Sequence, residues 1–342
     1  MRKLLEIRKE KMPNVSNLPN VSNLPNVSNL TNVFGVIYDA RMKDHKGPDS
    51  HPECPERIEV IYDALDKAGL LANAKIIPAR EVTQEELLRC HEKRYLEKIA
   101  NKMKLQTLNT GDMFTSAGTF LAAKLAAGSA IELADALLKE KIQTGFAIVR
   151  PPSHHAKTGG CGGFCFYNNT MLAAVRLSDA GKKVYIVDFD LHDADGSTNI
   201  LNSALHKDNQ NINLFSIHRW DEGTFYPGGQ GGKTGMDRSG RIVKGGYNGQ
   251  QDDQYYLKAC YDYLLPHITA FKPDIVLVSA GFDAAWGDPM DGSHVTRAGY
   301  NAMIELILSV CPKVGMILEG GYSLDIMPTC AVACVKALQG IS

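Results

Sequence analysis

The sequence predicts a single α/β domain built on a mostly parallel sheet with helices on both faces. Three observations carry that expectation. Short, near-continuous Val/Ile runs recur along the chain, stretches of helical periodicity separate them, and ionisable residues gather just past their carboxyl ends. Strands buried on both faces read as continuous apolar runs, and intervening helices supply the crossovers that a parallel sheet needs.

The strand-like runs are VFGVIYD (33–39), GFAIVR (145–150), VYIVDFD (184–190), INLFSIH (212–218), DIVLVSAG (274–281) and VGMILEGG (314–321). Helical stretches fall at 55–69, 84–104, 116–140, 168–181, 253–271 and 296–310. With 342 residues, 44% of them hydrophobic, the chain can bury one large core, so one domain over residues 33–342 is expected. Ahead of it, residues 13–30 read PNVSNL three times over. Asn, Ser and Pro favour turns and offer little apolar surface, so residues 1–32 read as a flexible N-terminal tail rather than the start of a solenoid.

Thirty-seven Lys and Arg against thirty-eight Asp and Glu leave a net charge of −1, which gives no electrostatic footprint for nucleic acid or an anionic membrane. The N-terminus lacks the apolar core of a signal peptide, and no stretch reaches membrane-spanning length. A cytoplasmic protein is the default expectation, with nuclear and secreted-effector routes left open. The eight cysteines include the spacings Cys161/Cys165 and Cys330/Cys334, which match neither zinc-ribbon nor redox motifs, so they read as reduced packing thiols.

In parallel sheets, ligands bind at the carboxyl ends of the strands. There the sequence sets His154 and His155, then Asp188, Asp190, His192, Asp193 and Asp195, then Asp283, then Tyr322. Asp190, His192 and Asp283 offer two carboxylates and an imidazole, three ligands that leave a fourth position open, as a catalytic zinc requires. Taken alone, the DxDxH pattern could also cap the next helix or bind a monovalent ion. A histidine of the pair beside such a metal can take a proton from water, with Asp188 and Asp195 as carboxylates orienting the imidazoles. Tyr322, following two glycines, can donate to an oxyanion. The reaction class these pieces suggest is metal-assisted amide hydrolysis.

Seven ordered stretches then resemble one family: SHPECPERI (50–58), RPPSHHA (150–156), CGGFCFYNN (161–169), VDFDLHDADGS (187–197), SIHRWDEGTFYPG (216–228), SAGFDAAWGDPMDG (279–292) and LEGGYS (318–323). They resemble the zinc-dependent histone deacetylases, in particular the class II enzymes and their bacterial acetylpolyamine amidohydrolase relatives, whose fold is arginase-like. The resemblance implies Zn2+ on Asp190, His192 and Asp283, His155 as general base and acid, His154 as its electrostatic partner, and Tyr322 polarising the acetyl carbonyl. It also implies a structural K+ near Asp188, Asp190, His192, Ser216 and Ile217, and an acyl-lysine tunnel lined by Gly163, Phe164 and Tyr226.

The chain departs from the family pattern at several positions. Ser153 replaces the usual Gly before the His pair, Asp193-Ala194-Asp195-Gly196 replaces His-Gly-Asn-Gly, and Tyr226 stands where phenylalanine is usual. Asp193 is expected to raise nearby histidine pKa values. After the Gly-rich loop 228–249, the expected strand beginning Tyr-Asn is cut short at Tyr247-Asn248-Gly249-Gln250. Met290, after Asp288-Pro289, stands where polyamine-selective members carry an acid, which favours an acetylated protein or peptide, histones among them, over a polyamine. An acetylpolyamine amidohydrolase and an acyl-lysine-binding pseudoenzyme stay open as alternatives. An arginase-like dimanganese site would need a carboxylate at Ala194.

Overall fold

A computed structural model of the chain describes residues 33–110 and 112–341. The repeat-bearing tail expected at 1–32 lies outside the described residues. The strands are β1 Phe34–Tyr38, β2 Lys75–Ile76, β3 Asn109–Thr110, β4 Met113–Phe114, β5 Thr144–Ile148, β6 Val184–Asp188, β7 Ile212–Arg219, β8 Gly235–Met236, β9 Ile242–Tyr247, β10 Ile275–Ala280 and β11 Val314–Leu318. The helices are α1 Glu56–Lys67, α2 Gln84–Leu87, α3 Lys93–Leu105, α4 Thr119–Leu138, α5 Asn169–Asp179, α6 Asp195–Leu201, α7 Asp253–Ala259, α8 Leu265–Phe271, α9 Arg297–Val310 and α10 Met327–Gln339.

Nine strands form one sheet in the order β2-β1-β5-β11-β10-β6-β7-β9-β8, parallel throughout except for the edge strand β8. The Val/Ile runs of β5, β6, β10 and β11 are buried at every position. Both faces are covered, as neighbouring residues of β5 show. Thr144 donates to the Leu338 carbonyl of α10, while Gly145 faces Leu133 of α4, and successive strand residues point to opposite faces. Among the described residues no helix is long and apolar enough to cross a membrane.

The chain order within the sheet decides where a site can form. After β5 the chain skips two positions to β6, runs outward through β7 and β9, and returns to fill the gap with β10 and β11. The direction of winding therefore changes among β5, β11, β10 and β6, and the loops past their carboxyl ends open a crevice there.

All six strand-like runs form strands; the two-residue strands β2, β3, β4 and β8 were not among them, and three longer features also differ from the sequence reading. Residues 242–247, read as part of a Gly-rich loop, form a paired, fully buried strand that ends at Tyr247, and no strand continues past it. Lys244 and two glycines in IVKGGY had hidden it, since these residues are depleted in strands. The stretch 84–104 is two helices, with a separate capping box of Thr83 and Glu86 on the first. The helix α10 was not anticipated because its Ala/Cys-rich face carries little polar periodicity. Its signals were Pro328 at the start and Gly340 in the left-handed region at the end.

Candidate active site

The His pair follows β5 on a loop clamped from below by Glu319, which follows β11. Glu319 accepts from the backbone N–H groups of Ser153 and His154, from the Ser153 hydroxyl, and from Thr170. Ser153, the departure before the pair, thus adds a donor to a buried carboxylate. Burial pushes Glu319 up to about 7, against the opposing pull of charged His154.

The two histidines are set to different tasks. His154 Nδ1 donates to Asp188 Oδ2 at 3.1 Å, and its Nε2 lies 3.5 Å from Asp190 Oδ1. Burial alone would lower its pKa, but Asp190 and Asp188 outweigh burial and raise it well above the usual histidine range. His155 Nδ1 donates to Asp195 Oδ1 at 2.7 Å. For His155 burial prevails, reinforced by the charge of His154, and lowers its pKa to about 4. The rings lie 4.1 Å apart. One imidazole is thus held cationic and the other neutral, an arrangement that separates an electrostatic role from a basic one.

Asp190, His192 and Asp283 converge from the ends of β6 and β10. One candidate ligand atom from each lies within 4.8 Å of the others. His192 Nδ1 is 3.1 Å from Asp190 Oδ1 and 3.0 Å from Asp283 Oδ2. Both carboxylates are fully buried, and among the described residues neither has a Lys or Arg ion-pair partner. Burial and the neighbouring Asp190 push Asp283 up to about 7. Two buried carboxylates facing one imidazole form a donor set that a divalent cation fits in both charge and chemistry. Gly320 packs against this nest, and a Cβ there would lie 2.5 Å from Asp283 Oδ2.

Above the nest a pocket of about 210 Å³ is lined by His154, His155, Gly163, Phe164, His192, Tyr226, Met290 and Tyr322, with Asp112 at its edge. Gly163 and Phe164 both adopt positive φ. A Cβ on Gly163 would lie 2.3 Å from the His155 ring, so only glycine fits this approach. The Phe164 ring meets Tyr322 edge-on at 5.7 Å, and the Tyr226 ring meets His155 at 5.0 Å.

All four pocket residues named from the sequence therefore share one cavity with the His pair and Tyr322. Asp188 and Ser216, named for potassium, are register partners on β6 and β7, and the Ser216 hydroxyl bonds to His218 Nδ1 at 2.8 Å. Asp193 differs from expectation. It turns away from the ligand nest into a buried ion pair with Lys244 of β9, which takes up the added charge. Burial prevails at His218, 3.8 Å from Asp193, and with help from the Lys244 charge keeps it below its usual pKa, although Asp193 does pull that pKa up as expected. Removing one member of a buried pair costs about 3–5 kcal/mol. Lys244→Met should therefore lose stability on that scale in chemical denaturation, and Asp193→Asn in the same chain should recover most of it.

Several residues of the site were not singled out in the sequence. Arg57, fully buried, donates to the carbonyls of Gly321 and Glu319, and its guanidinium lies 5.0 Å from the Tyr322 ring centre. Asp288 accepts from the backbone N–H groups of Met290, Tyr322 and Ser323, tying the pocket wall to the tyrosine turn. Asp112 accepts from Gly163 N at 2.9 Å. Arg57, Asp288 and Glu319 lie inside stretches already marked as motifs, so a buried charge within a motif was the available signal. Asp112 had none.

Residues 51–338 match the histone deacetylase domain. Histone deacetylase 5 of Arabidopsis thaliana is 36% identical over 327 residues, covering 89% of this chain and 48% of that protein. Histone deacetylase clr3 of Schizosaccharomyces pombe is 35% identical, covering 90% and 48%. Polyamine deacetylase HDAC10 of Danio rerio is 30% identical, covering 89% and 47%. The chain spans about half the length of these curated relatives. The solved HD domain of HDA15 superposes with a TM-score of 0.85 at 36% identity, covering 92% of this chain and 90% of that one. The match of family, relatives and fold over nearly the whole described chain makes it a member of the histone deacetylase family.

Proposed function

We propose that the chain is a zinc-dependent lysine deacetylase that hydrolyses the acetyl amide of lysine side chains in proteins, histones among them. The observation that carries this reading is the nest of Asp190, His192 and Asp283, whose histidine lines a pocket together with His155 and Tyr322. Zinc, the ion the resemblance implies, would be held by those three residues and would supply Lewis-acid polarisation of a carbonyl and an acidified water.

The remaining work belongs to the protein's own groups. His155, neutral and oriented through Nδ1 by Asp195, presents Nε2 as the atom that takes a proton from the attacking water and returns it to the leaving amine. His154, held charged by Asp188 and Asp190, stabilises the negative charge that develops beside it. The Tyr322 hydroxyl, which burial keeps protonated, donates to the carbonyl oxygen as it becomes an oxyanion. Phe164 and Tyr226 face the lysine stem and keep water from it. The potassium implied by the resemblance would sit against the ends of β6 and β7 at Asp188, Asp190, His192, Ser216 and Ile217, and the pairing of Asp188 with Ser216 supports that position.

The test is hydrolysis of an acetyl-lysine peptide before and after chelation, with metal restored afterwards. Activity lost on chelation and recovered on adding zinc supports the reading, and activity indifferent to chelation contradicts it. Met290 supports the choice of substrate, since it lines the pocket with a thioether and brings no charge for a polyamine's ammonium. Met290→Glu should raise the ratio of acetylspermidine to acetyl-lysine turnover by about tenfold, read as kcat/KM for each substrate.

A further inference from the structure

We propose that Lys157 is a positioning residue for this reaction, its ammonium holding one oxygen of Asp195 so that the other stays on His155. The proposal rests on reading His155 as the base.

Asp195 opens α6 with its carboxylate between two partners. Oδ1 accepts from His155 Nδ1 at 2.7 Å, and Oδ2 forms an ion pair with Lys157 Nζ at 2.8 Å. The backbone around these side chains is fixed from several directions. Lys157 N donates to the Gly160 carbonyl at 2.8 Å, and its own carbonyl accepts from His91 Nδ1 at 2.9 Å. Thr158 donates twice to Asn199 on α6, and Ser197 N of α6 donates to the His154 carbonyl. The loop bearing His155 and Lys157 is thereby joined to the helix bearing Asp195. The torsion left free is that of the Asp195 carboxylate itself.

Asp195 is 19% exposed, so with one partner its carboxylate could turn toward water. With two, each oxygen is committed and the torsion is set. Burial works against the charge, but the bonds to His155 and Lys157 prevail and hold the carboxyl down at about 2. Here a full charge stands beside a neutral base, and Lys157 answers it from the same loop. The Lys157 side chain is 49% exposed, and exposed pairs add little to stability. Its consequence should therefore appear in turnover and not in melting.

Lys157→Met in the metal-loaded protein should lower kcat about fivefold on an acetyl-lysine peptide, with KM and melting temperature unchanged. Lys157→Arg should restore most of the loss. On an Asp195→Ala background, Lys157→Met should cause no further loss. Independently of turnover, 15N-histidine NMR of the wild type should show a hydrogen-bonded Nδ1 proton on His155, assigned by its absence in His155→Asn, that broadens or moves upfield in Lys157→Met. An unchanged kcat together with an unchanged resonance would overturn the proposal, as would an equal kcat loss on the Asp195→Ala background. If the wild type hydrolyses no acetylated substrate, the deacetylase reading fails, and the resonance alone still decides whether Lys157 orients the pair.

Discussion

Asp283→Ala should remove bound metal and deacetylase activity together, while the protein stays folded. Asp283 uses its two oxygens differently: Oδ1 accepts from Leu191 N at 2.9 Å, and Oδ2 faces His192 Nδ1 at 3.0 Å. Alanine deletes one of three candidate ligands and leaves a buried donor unpaired, whereas Asp283→Asn keeps an acceptor for Leu191. Losing an outer partner of a ligand typically costs 10–100-fold, so loss of a ligand itself should exceed about 10³-fold in kcat/KM. Metal content by mass spectrometry should fall in both variants, with activity falling in step. Full metal content in Asp283→Ala would remove this residue from the ligand set.

Tyr322→Phe should leave metal content and peptide binding nearly unchanged and lower kcat by about 10²–10³-fold, the usual cost of deleting one donor to a developing oxyanion. The ring is held by its surroundings and not by its hydroxyl. Asp288 fixes its backbone N–H at 2.6 Å, Phe164 meets it edge-on, and the Arg57 guanidinium lies over its face. Phenylalanine should therefore occupy the same place, so that the loss isolates the hydroxyl. A variant with unimpaired kcat would assign oxyanion stabilisation to some other group.

The fold was legible in the sequence where burial dictates composition. Strands such as VYIVD and IVLVSA lie inside the sheet and must be apolar on both faces, so they announce themselves. β9 did not, because its buried lysine is explained only by Asp193, fifty-one residues earlier in the chain. The candidate ligands were legible because carboxylates and histidines at strand ends are costly without a purpose. Their supports were less so. Glu319, Arg57 and Asp288 act on backbone groups brought near by folding, and local sequence carries no record of those partners. The same holds for Lys157, whose bond to Asp195 spans two elements.

The decisive measurement presents the zinc-loaded protein with an acetyl-lysine peptide and with acetylspermidine, alongside the Tyr322→Phe variant. A lysine deacetylase should cleave the peptide faster and lose nearly all turnover in the variant. Faster cleavage of acetylspermidine, or zinc bound without turnover of either substrate, would rule out lysine deacetylation at this site.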